Sequence, residues 1–222
     1  MLVWRSNNLN VVVIGLGRFG RNLATTLSSL GHDVLGIDIS EKAIQELADE
    51  IPHVIQADAT DEATLRELGL ADCEVAFVAM ADIQVSIMTT MLLKQLGVAR
   101  IHAKARNSLH GQILDRIGCD HVVFPEREMA VRVAHNIAAP DLVEYFELIS
   151  GYGVGQVNAP TSFSGKSLAS LNLRGKLDIS VLVIKRGTKI IIMPDLKEVL
   201  EDGDVLVLVG KDSSIESLDS VT

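Results

Sequence analysis

Gly15, Gly17 and Gly20 are spaced G-x-G-x-x-G, Arg18 lies inside that turn, and Asp38 follows eighteen positions after the last glycine. Residues of these types in this pattern suit a nucleotide. Gly15 permits a sharp turn, Gly17 lets the backbone come close to a pyrophosphate, and Gly20 lets a helix pack tightly on a strand. The helix that opens at such a turn offers unpaired N–H groups and the positive end of its dipole to phosphate. Asp38 has the position of the carboxylate that accepts hydrogen bonds from ribose hydroxyls, and its charge repels a 2′-phosphate, so NADP is disfavoured. Arg18 carries a guanidinium to the place where phosphates gather, which suits a polyphosphate tail. Leu16 and Phe19 complete the turn, and Ile39 follows the aspartate. Each charged residue also has a plainer reading: Asp38 as a strand-end aspartate beside the helix cap Ser40, and Arg18 as a solvated first-turn residue.

A glycine turn means little alone; what counts is a strand before it and a helix after it. Val11 to Ile14 is an apolar, mostly β-branched run, and Leu23, Ala24, Leu27 and Leu30 recur at helical spacing. Asp33 to Asp38 reads as a second strand, followed by a helix at about Glu41 to Asp49 with Ser40 as its N-cap. His53 to Asp58, Cys73 to Met80, Arg100 to Ala105 and His121 to Phe124 read as four further strands. Helices are expected behind Thr60 or Asp61, from Ile83 to Leu96 behind Asp82 with Ile83, Ile87 and Met91 at helical spacing, and from Leu109 to Ile117. Six strands alternating with helices predict a Rossmann-like α/β fold, a doubly wound parallel sheet in the order 3-2-1-4-5-6. The helix after Pro125 carries Met129, Val133 and Ile137 beside Ala130, Ala134 and Ala138, a face wide enough for its own sheet alone or for a second subunit as well. Ala139-Pro140-Asp141 then breaks the pattern as a hinge or linker. It divides the chain into a nucleotide-binding domain, 1–139, and a small α+β lobe, 140–222. In that lobe, strand-like runs at about 145–149, 154–158, 180–184, 189–193 and 204–209 surround a short helix near 168–171.

The remaining candidates lie at the carboxyl ends of the predicted strands, where a doubly wound sheet holds its ligand. Asp58, Ala59 and Thr60 either border the adenine half or simply cap the next helix. Ala79, Met80 and Asp82 face the glycine turn across the topological switch point, with Asp82 also an N-cap. Lys104 and Arg106 add positive charge to the same crevice. Glu126 is either a metal ligand or a carboxylate favoured at a helix N-terminus by the dipole alone. Gly165-Lys166-Ser167 imitates the end of a phosphate loop, but the first glycine of that motif would fall on Pro160 and no strong strand precedes it. The six histidines show no metal-ligand spacing, and neither a nucleophile elbow nor a Cys/His pair is evident.

Composition narrows the field further. The chain has 222 residues, 48% of them apolar, which is ample for a core. A net charge of −9, no run of Lys or Arg and only 4% aromatic residues argue against a nucleic-acid partner. Two cysteines, Cys73 and Cys119, suggest reduced structural thiols in a cytoplasmic protein. No segment reaches the roughly 18 apolar residues of a membrane span, and Met1 to Asn10 lacks a long apolar signal region, so direct membrane insertion is not expected.

Several stretches together resemble a known family. These are 13–20 (VIGLGRFG), 31–38 (GHDVLGID), 58–60 (DAT), 102–107 (HAKARN), 117–126 (IGCDHVVFPE) and the small C-terminal lobe. They are similar to the RCK/KTN proteins, in particular the TrkA-like regulatory subunits of Trk/Ktr-type potassium-uptake systems. The resemblance implies a cytoplasmic regulatory subunit and not an enzyme, held at the inner face of the membrane by a membrane-embedded potassium channel or transporter. It implies a homodimer that exchanges the helix after Pro125, and dimers assembled into an octameric ring. It implies ATP and ADP, sometimes NAD(H), bound through Gly15, Gly17, Gly20, Arg18 and Asp38, with Arg18 near the terminal phosphate and Glu126 at a divalent-cation (Mg or Ca) site. Some relatives bind cyclic di-AMP in the C-terminal lobe, and Asn172 and Arg174 fall in the relevant segment. Two other readings stand beside it. A small NAD-dependent oxidoreductase or NAD(H) redox sensor shares the cofactor fold but has no placed acid–base residue, and a redox-sensing DNA repressor needs a basic reading element that this sequence lacks.

Overall fold

The computed structural model describes residues 9–138, 142–216 and 218, so the predicted linker Ala139-Pro140-Asp141 lies outside the described residues, as does the N-terminal stretch before Leu9. The chain divides into two compact units, 1–125 and 126–222.

In the first unit the apolar runs become strands: β1 (Asn10–Ile14), β2 (Asp33–Asp38), β3 (His53–Gln56), β4 (Val75–Val78), β5 (Ile101–Lys104) and β6 (His121–Val123). They pair in parallel in the order β3-β2-β1-β4-β5-β6, which is the predicted topology. β1 lies between β2 and β4, and Val12, Val13 and Ile14 are fully buried, because a central parallel strand is covered on both faces. Helices α1 (Arg18–Ser29), α2 (Glu41–Leu47), α3 (Glu62–Glu67), α4 (Ile83–Gln95) and α5 (Ser108–Arg116) connect the strands. Four of them start on a capping side chain: Ser40, Asp61, Asp82 and Asn107 each accept a hydrogen bond from a backbone N–H of the first turn. Each such cap contributes about 1 kcal/mol.

One expectation, the bounds of two strands, is corrected. The third strand ends at Gln56 and the fourth covers only Val75–Val78. Asp58 leaves the ladder because its carboxylate accepts from the Thr60 N–H and hydroxyl and turns the chain, while Cys73 is buried ahead of its strand, after a short 3₁₀ turn. The stripe Ile83, Ile87 and Met91 marks a helix, but it is not the most buried side of α4. The fully buried residues are Ser86, Thr89, Thr90 and Leu93, and Met91 is exposed.

The second unit holds α6 (Pro125–Ala138, but for its first residue), β7 (Leu142–Ile149), β8 (Tyr152–Asn158), α7 (Leu168–Leu171), α8 (Leu173–Leu177), β9 (Ser180–Arg186), β10 (Lys189–Ile192), β11 (Val205–Lys211) and α9 (Asp212–Glu216). The strands form an antiparallel sheet, β10-β9-β11-β8-β7, and α8 and α9 are additions to the predicted elements. Its core gathers Val157, Phe163, Leu168, Ile184, Leu206 and Leu208. A buried charge pair joins β9 to the start of β11. The Arg186 guanidinium donates to both oxygens of the fully buried Asp204 carboxylate, at 2.9 and 2.8 Å, and the Glu201 N–H adds a third bond. These bonds hold the Asp204 carboxyl below its ordinary range. The carboxylate's contribution is therefore complete above the unfolded value near 4 and is lost as pH falls through the lower folded value. Asp204→Ala leaves the partly exposed Arg186 to Glu198 and Glu201 and removes the acceptor of the Glu201 N–H, and is expected to cost about 1–3 kcal/mol of stability, measured by urea unfolding at pH 7.

Candidate nucleotide site

Gly15 to Gly17 form the turn between β1 and α1, and Gly20 lies in the first turn of the helix. Gly15 has φ +92°, and a β-carbon there would lie 3.1 Å from the backbone of Ala79 and Met80. At Gly20 a β-carbon would overlap the carbonyl oxygen of Gly15. Gly17 is different: its φ of −63° suits any residue, and a β-carbon would meet nothing within 4 Å. The turn thus needs glycine at 15 and 20 for its own packing, whereas at 17 only something outside the chain would need the space. Gly17 is the N-cap of α1, makes no side-chain cap bond, and no acidic residue occupies the first turn of that helix. Its leading N–H groups are therefore not capped by a side chain of their own helix, as a phosphate requires.

Around this turn the carboxyl ends of four neighbouring strands are tied together. The Gly15 N–H donates to the Ile37 carbonyl at 2.8 Å, and the Ala79 N–H donates to the Ile14 carbonyl at 2.7 Å. Asp38 spans the junction: one carboxylate oxygen accepts from the Leu16 N–H at 2.6 Å, the other from the Ser40 N–H at 2.8 Å. Its carbonyl accepts from Ala57 at 3.0 Å, which brings the Asp58–Thr60 loop alongside, and the Ile39 carbonyl accepts from Gln56. The two bonds from Thr60 hold the Asp58 carboxyl below its ordinary range, so it is charged at neutral pH. Asp82 caps α4 by accepting from Val85. Arg18 is exposed at the first position of α1 and makes no hydrogen bond or ion pair among the described residues; Phe19 stacks at 5.6 Å on Phe77.

Lys104 ends β5 and exposed Arg106 follows it. Sequence reasoning did not single out the residue that holds that loop. His110, 1% exposed, accepts the Arg106 N–H on Nδ1 at 3.2 Å. Only the neutral ring can accept there, and burial pushes its pKa down.

The structure therefore brings the glycine turn, Asp38, Asp58–Thr60, Ala79–Asp82 and Lys104–Arg106 to one edge of one sheet. Glu126 lies exposed in the first turn of α6, and Asn172 and Arg174 at the start of α8, all in the second unit. Asn172 adopts a left-handed φ of +47° between α7 and α8. The residues of the first edge fit a nucleotide: open space at Gly17, an uncapped helix start, and a carboxylate with lone pairs to spare. They do not by themselves fit a metal, since no three His, Cys, Asp or Glu side chains converge among the described residues. Burial pushes the Cys73 thiol up to about 12 and raises that of Cys119, so both stay protonated at neutral pH.

A Rossmann lobe with a glycine-turn site, followed by a small antiparallel lobe, defines a class of two-lobed nucleotide-binding proteins. The TrkA-N domain matches residues 11–125 and the TrkA-C domain matches residues 156–221. The chain belongs to the TrkA family. It is 40% identical to Ktr system potassium uptake protein C of Bacillus subtilis (strain 168), over 91% of this chain and 92% of that protein. Among solved structures it resembles the GsuK channel, with a TM-score of 0.68 and 18% identity over 99% of this chain, and the GsuK channel bound to NAD, with a TM-score of 0.54 and 24% identity over 97%. It spans 40% and 39% of those two channel chains. Among the described residues no helix is long and apolar enough to cross a membrane.

Gly17→Ala is expected to change stability by less than about 1 kcal/mol while weakening nucleotide binding, compared by thermal melts and ligand titration. For His110, the unfolded chain takes up a proton below about 6.5 that the folded chain resists, so stability falls from that pH down to the folded value. His102, also lowered by burial and by His121, adds to the same slope. Melts between pH 7.5 and 5 (chosen to bracket that value) should show a shallower decline in His110→Gln.

Proposed function

We propose that this chain is the nucleotide-binding regulatory subunit of a potassium-uptake system and not an enzyme. The observation that carries the reading is the pairing of a glycine turn, open only at Gly17, with a family relation that extends over both lobes. That relation also favours regulation over a small NAD-dependent oxidoreductase.

The nucleotide-binding domain is 1–139, with α6 as a crossover helix, and 140–222 is the dimerising lobe. Support for the crossover comes from Met129, Val133 and Ile137, which are exposed in the single chain although apolar. A second copy covers them in a homodimer, and dimers close into an octameric ring at the cytoplasmic face of a membrane-embedded channel or transporter. Asp38 receives ribose hydroxyls, the N–H groups from Gly17 onward receive phosphate, Asp58–Thr60 frame the adenine half, and the Ala79–Asp82 backbone borders the ligand across the switch point. ATP carries one more phosphate than ADP, and that added charge is what Arg18 can distinguish. A ligand shifts an equilibrium only by its difference in affinity for the two states, so the ATP/ADP difference at Arg18 sets the size of the regulatory signal. NAD(H) fits the same edge. Glu126 is a ligand at a divalent-cation site between nucleotide pockets. Asn172 and Arg174 form a second candidate site, for cyclic di-AMP.

Titration of ATP, ADP and NADH against a fluorescent adenine nucleotide, with and without Mg²⁺, tests this reading. ATP and ADP should both displace the probe, and Arg18→Ala should narrow the gap between them by removing one charged hydrogen bond, about 1.5–3 kcal/mol. Displacement by NADH alone would sink the ATP/ADP mechanism. An unchanged gap in the variant would remove Arg18 from it.

A further inference from the structure

Thr89 and Thr90 are neighbours on α4, both fully buried, and they use their hydroxyls differently. Thr90 donates to the Ser86 carbonyl one turn back, at 2.8 Å, the usual local bond of a helical threonine. Thr89 instead donates to the Ala59 carbonyl, thirty residues away, at 3.2 Å, and its oxygen lies 3.6 Å from the Met80 Sδ. One proton thus has two acceptors in reach, and they belong to two different ligand-bearing segments. Ala59 sits between Asp58 and Thr60, whereas Met80 follows β4 and its Cγ is 3.2 Å from where a Gly15 side chain would begin. A carbonyl oxygen is the stronger acceptor, so the resting bond goes to Ala59. A buried hydroxyl is costly unless it is hydrogen-bonded, and an apolar residue of the same shape would fill this position on α4 without that cost.

We infer that Thr89 is a positioning residue for the nucleotide: its hydroxyl sets the Asp58–Thr60 loop against the core and, through contact with Met80, in register with the glycine turn. This rests on the nucleotide reading above. Thr89 itself, buried on the sheet side of α4, need not touch the ligand.

The test measures ATP and ADP affinity of the full chain by competition with a fluorescent adenine nucleotide. Thr89→Val keeps the shape and removes the hydroxyl, Thr89→Ser keeps the hydroxyl, and Leu93→Ala destabilises the same helix and core one turn on without removing a hydrogen bond to either loop. Thr89→Val should weaken both nucleotides about tenfold, the value of one well-placed hydrogen bond. Thr89→Ser and Leu93→Ala should bind within about twofold of the unaltered chain. Wild-type affinity in Thr89→Val overturns the inference, as does a Thr89→Ser variant as weak as the valine, because the serine retains the hydroxyl. An equal loss in Leu93→Ala also overturns it, by assigning the effect to general stability. If Thr89→Val does not fold, Thr89→Cys, a weaker donor, should bind with intermediate affinity, and wild-type affinity there overturns the inference. Failure of the unaltered chain to bind either nucleotide would instead bring down the nucleotide reading and this assignment with it.

Discussion

The first lobe depends on a tight approach between Gly20 and the carbonyl oxygen of Gly15, where a β-carbon would have no room. That contact sets α1 against β1 and aims the start of the helix across the end of the sheet. Everything at the candidate site depends on it. With α1 held so close, space stays open at Gly17, and the turn is short enough for Leu16 to donate to Asp38. A larger residue at position 20 would push the helix away and open the crossing that a phosphate is meant to fill.

The loops around this contact are held by few bonds, most of them from backbone groups to a neighbouring strand end. Asp38 is central among them, since its two carboxylate oxygens and its carbonyl serve the glycine turn, the start of α2 and the loop beyond β3. A site built this way is largely formed before the ligand arrives, which lowers the ordering cost of binding. It also means that what a nucleotide does to one loop is felt by the next. Regulation needs such coupling, because a ligand acts at a distance only through states that differ in their contacts with it.

The second lobe is stabilised by a different device. Its sheet is antiparallel with a single well-filled core, and the Arg186–Asp204 pair ties strands from separate parts of the lobe. Exposed apolar side chains lie on α6, on β7 and along β10, among them Ile137, Phe146 and Ile192.

Local chemistry was legible in the residues alone. The β-branched runs, the glycine spacing, Asp38 and the caps Ser40 and Asp82 each announce themselves within a few positions, because strand, turn and cap depend on near neighbours. The strand order followed from the alternation of strands and helices, since crossover handedness leaves few alternatives. Other features were decided only when distant segments met. The buried side of α4 is lined by Ser86, Thr89 and Thr90, and the Thr89 hydroxyl there finds a carbonyl thirty residues away. The His110–Arg106 bond and the Arg186–Asp204 pair belong to the same kind, as does the open space at Gly17, which no count of spacing can distinguish from the crowding at Gly20. Sequence specifies what each segment can form by itself, whereas burial and the pairing of polar groups depend on which segments the fold brings within a few ångströms.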